Sequence, residues 1–427
     1  MTIGAGESAV RVDDGSAPAF LGWRMLGVAF MANFLASAVT LSPFGNFVVP
    51  MSEAFQVHPS TIGYGIAMAI LTMGIAGPFV GRWLDQGLAR RMMTVGALLT
   101  GVGLLMLSRA TELWYAGFCY VGIACMGAAF FGVMPSMTLI ANWFVRRRGL
   151  AIGITVAGAT VASYVAPATS QYLIDHYGWR TAVFAFGCLT LGVSVPLFAR
   201  FVIARPEEAG QLPDGDAPSQ AEEVGPSEDC ALRETSDLMR DPQLWLLAVG
   251  FGLVMTSPVV LIGVAVPYGQ SLGFSGQDAN LFYLAMAPFS LLGKLVIGGL
   301  ADVAPIKPAI VMVVLVNVLV WWLFYIEPSY TLFVVTGAIY GVGIGGAAPL
   351  HGVAQGLVFG RANFGRAGGL GAMAAVPLLA IASAASHALL GATGSYSASF
   401  VLQMSLVSLG GLLLVFLPIP RHSPGAS

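Results

Sequence analysis

GRWLDQGLARR, Gly81 to Arg91, stands between two long apolar stretches and holds one acid, three arginines and two glycines. Its first part returns as GGLAD, Gly298 to Asp302, again at the end of an apolar stretch. A second pair follows with almost the same offset: WFVRRRGLAIG, Trp143 to Gly153, and FGRANFGRAGGLG, Phe359 to Gly371. Two motif pairs in the same order and at matched spacing mark an internal duplication of the chain.

The composition around these motifs is that of a membrane protein. Of 427 residues, 57% are hydrophobic and 9% charged, whereas soluble domains carry about 25% charged residues. Inside a bilayer every backbone N–H and C=O must be paired within the chain, so apolar stretches of about 18 residues or more read as spanning helices. Twelve are expected, at 22–46, 60–82, 92–109, 113–141, 149–173, 180–203, 243–269, 279–300, 308–326, 331–358, 366–390 and 396–418. The expected fold is therefore all-α and integral to the membrane, with twelve transmembrane helices in two pseudo-symmetric six-helix bundles. The expected division is an N-terminal tail (1–21), a first bundle (22–204), a hydrophilic linker (205–242), a second bundle (243–418) and a C-terminal tail (419–427). The linker is rich in Pro, Gly, Ser and acids such as Glu222 and Glu223, and reads as flexible.

Orientation follows from the positive charges. Arg82, Arg90, Arg91, Arg146, Arg147, Arg148, Lys307, Arg361, Arg366 and Arg421 fall on one side, and Arg109 and Arg180 on the other. Both termini are then expected in the cytoplasm, for a protein of a bacterial inner (plasma) membrane. A net charge of −2 leaves no basic footprint for nucleic acid. Cys119, Cys125, Cys188 and Cys230 lack metal-ligand spacing, and no strand precedes the glycine runs, so neither a metal nor a nucleotide cofactor is expected. Duplicated six-helix halves around a midplane site describe a secondary transporter rather than an enzyme.

GRWLDQGLARR resembles the signature loop between the second and third helices of the major facilitator superfamily. The resemblance, which covers nearly the whole chain, implies that Gly81 and Gly87 permit close packing and turning. It also implies a charged gating latch of Asp85, Arg90 and Arg91 at the cytoplasmic face, with Asp302 as the repeat partner of Asp85. Within the superfamily, NWFVRRRGLAIGI (Asn142 to Ile154) and PATSQYLIDHYGWR (Pro167 to Arg180) resemble the monocarboxylate porters and the oxalate:formate antiporters.

Lys294 is the charge that does not fit a loop. It lies eight residues before Asp302, hence about 12 Å along the helix at about 1.5 Å per residue, in a hydrocarbon layer about 30 Å thick. Side chains lean toward a helix's N-terminus, which here points away from the nearer interface, so snorkelling is awkward. No acid is available inside the membrane to pair with it. Burying a lone ammonium there costs about 2.5–3.5 kcal/mol or more, which makes such a residue the mark of a substrate path. The counter-charge would arrive as a small organic anion.

The family resemblance implies the same role, because helix eight of both porter families carries a cation at this spacing that contacts the substrate carboxylate. Two departures qualify it. Ala375 stands where the oxalate:formate antiporters have a second lysine, which favours a monoanion. Pro43 and Ser290 stand where animal monocarboxylate porters have a lysine and an acid, so their proton relay does not carry over. Proton-coupling candidates are His351, the imidazole of helix ten, and Lys294 itself, where a bound carboxylate and a proton would stabilise each other. Asn46, Ser163, Tyr164, Tyr283, Ser290 and Tyr340 are the polar groups expected at cavity depth, each also compatible with plain packing.

The expected function is proton-coupled carriage of a small organic monocarboxylate by alternating access, with the anion, protons and the bilayer as partners. Alternatives are an anion exchanger of the oxalate:formate type, an efflux carrier of amphipathic compounds with Lys294 structural, and a transport-like membrane sensor. The sequence leaves the oligomeric state unassigned.

Overall fold

The computed structural model describes residues 20–216 and 232–419, and all regular structure among them is helical. The N-terminal tail to residue 19, the centre of the linker with Glu222, Glu223 and Cys230, and the C-terminal tail with Arg421 lie outside the described residues.

The first span, α1, covers Gly22–Phe55. It is two helices, Gly22–Val39 and Phe44–Phe55, and Pro43 is the N-cap of the second. A proline at a helix start sacrifices no intrahelical bond, so the chain breaks at 40–43 and then winds on nine residues past the expected end. Gln56 stops it in the left-handed region (φ 54°). His58 then caps α2 (Pro59–Asp85), accepting from the Ser60 N–H at 3.3 Å. Gly87, with φ 78°, turns the chain into α3 (Ala89–Ser108). α4 (Leu113–Trp143) contains a π-helical stretch, Phe118–Cys125.

Hydrogen bonding runs on from Arg148 to Phe201, but Gly178 has φ 79° and ψ 160°. That conformation is open to glycine and not helical, so the run is two spans, α5 (148–177) and α6 (179–201). The remaining spans are α7 (Pro242–Ser271), α8 (Gly276–Val303), α9 (Ile306–Tyr325), α10 (Tyr330–Phe359), α11 (Phe364–Thr393) and α12 (Ser397–Phe416). Among the described residues this makes twelve spans, the number read from the sequence.

Large side chains fill the interior of each set of six helices. Phe131, Trp143, Phe144 and Phe198 are fully buried in the first, and Phe282, Trp321, Phe324, Phe333 and Phe400 in the second. Where the sets meet, small residues replace them. Gly77 and Gly81 of α2 lie on Gly369 and Gly365 of α11, and a Cβ added at Gly77 would sit 2.7 Å from the Gly369 carbonyl oxygen. On the opposite flank, Gly149 and Gly153 of α5 lie on Gly298 and Lys294 of α8. Lipid tails are as apolar as leucine, so close backbone approach of this kind is what holds helices together in a bilayer.

The described parts of the linker are pinned rather than free. Asp214 accepts from the Val145 and Arg146 N–H groups at 3.0 and 2.9 Å, and Glu207 pairs with Arg361 of the other half at 2.9 Å. Arg233 donates its N–H to Asn363 at 2.8 Å, and its carbonyl accepts from Arg366. On these flanks the linker, expected to be flexible, meets N–H groups and arginines of the loops it crosses.

Candidate functional site

The site is built from its closed end upward. The first four N–H groups of a helix have no partner within it and carry partial positive charge. Asp85, ending α2, meets those of α11: its carboxylate accepts from the Gly365 N–H at 2.8 Å and the Arg366 N–H at 2.9 Å. Asp302, near the end of α8, meets those of α5, accepting from Gly149 at 2.6 Å and Leu150 at 2.9 Å. Each duplicated acid thus caps a helix of the opposite half, and the two caps are related by the pseudo-twofold repeat. The Gly81–Gly365 contact allows this approach, since a Cβ at Gly365 would lie 2.5 Å from Asp85 Oδ1.

Asp85 is 3% exposed. Arg366 Nε lies 3.7 Å from its Oδ2, and Arg205 donates to its backbone carbonyl at 2.7 Å. Arg90 and Arg91, expected in the latch, do not join it. Arg90 donates to the Ala199 carbonyl at the end of α6, within its own half, and Arg91 is exposed. Arg90 turns there because the last carbonyls of α6 lack intrahelical donors and lie close to the start of α3. The cations that the motif suggested are supplied instead by Arg366 and Arg205, which lie far from it in sequence.

Lys294 sits just above this closed end. Its carbonyl is packed on Gly153 of α5, its backbone N–H on Gly345 of α10, and its Nζ donates to Ser290 Oγ at 3.0 Å, one turn back. It makes no ion pair among the described residues. At the opposite end, α5 and α8 stand apart around a crevice of about 420 Å³ lined by Ser163, Tyr164, Gln277, Asn280, Tyr283 and Met286. The latch end is thus closed by the two caps, and the crevice between α5 and α8 opens at the other. Gln277 and Asn280 escaped the sequence reading, although they lie about three to three and a half turns before Ser290 on the same helix.

The other expected site residues separate into groups. Tyr164 is 48% exposed on the crevice wall. Tyr283 also faces the crevice, while its hydroxyl donates to the Leu261 and Ile262 carbonyls of α7 at 2.9 and 3.0 Å. Asn46 spends its amide on the Pro167 carbonyl at 2.7 Å and Ser170 Oγ at 2.9 Å, tying the outer piece of α1 to α5. Tyr340 is 1% exposed, and its hydroxyl bonds Ser257 Oγ at 3.0 Å, which also accepts from Trp321 Nε1 at 2.8 Å. That places Tyr340 in the core of the second half and not on the cavity, because a buried hydroxyl goes where a partner is. The His351 ring lies 4.8 Å from that of Phe251, and no hydrogen bond joins it to Lys294 among the described residues.

Comparison with known proteins agrees with this architecture. The family model of the Major Facilitator Superfamily matches residues 26–326. Monocarboxylate transporter 13 of Bos taurus is 25% identical over 409 residues, covering 93% of this chain and 89% of that protein. An MFS-type transporter of Gibberella moniliformis is 26% identical over 279 residues, covering 63% of this chain and 62% of its own length. Among solved structures, a double-tryptophan mutant of XylE superposes with a TM-score of 0.75 at 14% identity, over 94% of this chain and 97% of that one. The human organic anion transporter MFSD10 gives 0.66 at 16% identity, over 92% and 99%. At such identities the two structures speak for the fold alone. Twelve spans among the described residues in a duplicated arrangement, the crossed aspartate caps and a family match over most of its length place this chain in the Major Facilitator Superfamily, as a membrane transporter.

Proposed function

We propose that the chain carries a small organic monocarboxylate together with a proton, by alternating access, and that Lys294 is the contact for the carboxylate. The observation that carries the reading is the state of Lys294: a cation between the two halves, held by one serine hydroxyl and lacking an acidic partner among the described residues. A carboxylate brought beside it gains about 4 kcal/mol of Coulomb energy at 4 Å and an effective dielectric of about 20. It also supplies the hydrogen-bond acceptors that Ser290 alone does not. The alignment along nearly the whole chain with a protein named as a monocarboxylate transporter supports the same substrate class.

In this mechanism the anion enters through the crevice between α5 and α8 and descends along α8 to Lys294. Pairing removes the cost of an isolated buried charge, and the neutral pair can then cross as the two halves rock. Lys294 is also the coupling group, since the proton on its amine and the bound carboxylate stabilise each other. His351, packed on Phe251 without a bond to Lys294, is the weaker candidate. The latch end is read as cytoplasmic from the Lys and Arg asymmetry. The relatives named above are fungal and mammalian and lend no support to a bacterial inner membrane.

The test is uptake of a radiolabelled monocarboxylate panel into proteoliposomes, with and without an inward proton gradient, for wild type, Lys294→Ala and Lys294→Arg. Saturable, gradient-driven uptake that Ala abolishes and Arg partly keeps supports the assignment. Uptake unchanged in a folded Lys294→Ala protein makes the lysine structural and favours a carrier of amphipathic compounds.

A further inference from the structure

Inside the first six helices, at the end opposite the latch, lies a second cavity of about 210 Å³. Its walls are the break and outer piece of α1, the first turns of α2, the last turns of α3, the start of α4, and Val183 and Phe186 of α6. Every lining residue belongs to the first half, and neither Lys294 nor the crevice between α5 and α8 contributes to it.

The chemistry of the wall is nearly all hydrocarbon, and no charged residue lines it. Four hydroxyl-bearing residues line it: Thr61 and Tyr64 are exposed, and Thr40 and Tyr120 are already engaged with backbone. Thr40 Oγ1 donates to the Ala36 carbonyl at 2.5 Å, and the Tyr120 hydroxyl donates to the Thr40 carbonyl at 3.2 Å. A buried water needs two to four polar partners, which the buried part of this wall does not offer. A dry apolar void of about 150 Å³ already takes up a benzene-sized hydrocarbon, and this one is larger.

The mouth indicates where such a hydrocarbon comes from. Tyr64 and Met68 of α2 and Gly117 of α4 line the cavity and are exposed. Trp114 and Phe118 flank Gly117 on α4 and are 73% and 56% exposed. The cavity is therefore continuous with the apolar outer surface of a membrane protein, and that surface meets lipid tails. Local backbone makes the room: α1 is interrupted at 40–43, and the start of α4 is wound as a π-helix from Phe118.

We propose that this cavity is a binding site for the acyl chain of a membrane phospholipid, inserted from the side between α2 and α4. The site is separate from the Lys294 path, and its test does not depend on the transported substrate.

The full chain is reconstituted in vesicles of phosphatidylcholine carrying a diazirine near the end of one acyl chain, irradiated, digested and mapped by mass spectrometry. Phe47 and Phe186, each 6% exposed and inside the cavity, report insertion, whereas Leu315 of α9, exposed on the other half, reports surface lipid. The expected result is adducts on the Phe47 and Phe186 peptides. Gly117→Leu should reduce them at least fivefold while leaving the Leu315 adduct unchanged. Gly117 lines the cavity, and a Cβ added there meets nothing within 4 Å, so the larger side chain starts in open space at the mouth. Met68→Trp, which narrows the mouth from the other wall, should act in the same direction. Adducts confined to exposed residues overturn the proposal, as does interior labelling that neither substitution reduces. Interior labelling by a free diazirine fatty acid but not by the phospholipid also overturns it.

Discussion

Replacing both latch aspartates by asparagine should open the closed end. Each carboxylate accepts two backbone N–H groups of the opposite half at 2.6–2.9 Å. Asparagine keeps one oxygen acceptor and turns an NH₂ donor toward the second N–H, so each substitution removes one charge-assisted bond and the favourable meeting of an anion with a helix N-terminus. A hydrogen bond to a charged group is worth about 1.5–3 kcal/mol net, and about 1.4 kcal/mol is a factor of ten. One substitution should therefore shift the population away from the closed-latch state by between about 10- and 100-fold. Asp85 and Asp302 share no partner, so their effects should add.

The assay is double electron–electron resonance in a background without Cys188 and Cys230, with one label pair at Arg91 and Val303 and another at Tyr177 and Ile326. All four positions are exposed, and each pair spans the two halves at one end. The expected outcome is a longer 91–303 distance and a shorter 177–326 distance. Distance distributions unchanged in the folded double variant would refute the claim that these two caps hold the closed end.

Gly81→Ala should weaken the same state through sterics, because its Cβ would collide with the Gly365 carbonyl, whereas Gly63→Ala, with nothing within 4 Å, should leave both distances unaltered. Glu207→Gln removes a partly exposed ion pair between the linker and the other half; such pairs are worth up to about 1 kcal/mol, so the latch population should move by less than about fivefold, and less at high salt. Tyr340→Phe should lower thermal stability by about 0.5–1.5 kcal/mol and leave the apparent affinity for substrate unchanged, since its hydroxyl serves Ser257. A changed KM with unchanged stability would instead return Tyr340 to the cavity wall. Asn46→Ala should lower the transport rate with little change in KM, because it frees the outer piece of α1 from α5; a KM effect alone would point to direct substrate contact.

Much of the architecture was legible in the sequence because hydropathy, prolines and charges act locally along the chain. The apolar stretches that counted out twelve spans are the helices observed, and the break at Gly178 falls in the gap between the fifth and sixth. The repeated acids, Asp85 and Asp302, were visible as an echo before any partner was known. Lys294 stood out because a charge in hydrocarbon is costly wherever the helix turns.

What stayed hidden depended on which face of each helix meets which neighbour. A membrane helix is apolar all round and lacks the stripe that orients a soluble helix toward its core, so its rotation is set by small-residue contacts that no single span reveals. Only the tertiary structure decided that Asp85 meets the N–H groups of α11, and that Arg90 turns to Ala199 while Arg366 and Arg205 supply the latch cations. It also decided that Asn46 and Tyr340 are committed to packing partners, and that the start of α4 winds wide enough to leave a cavity beside the break in α1. The sequence by itself set the number of spans, their duplication and the lysine within the eighth span, because the bilayer judges each segment alone. Pairing of helices across the two halves is a non-local choice among nearly equivalent apolar faces, and that choice exists only in the folded chain.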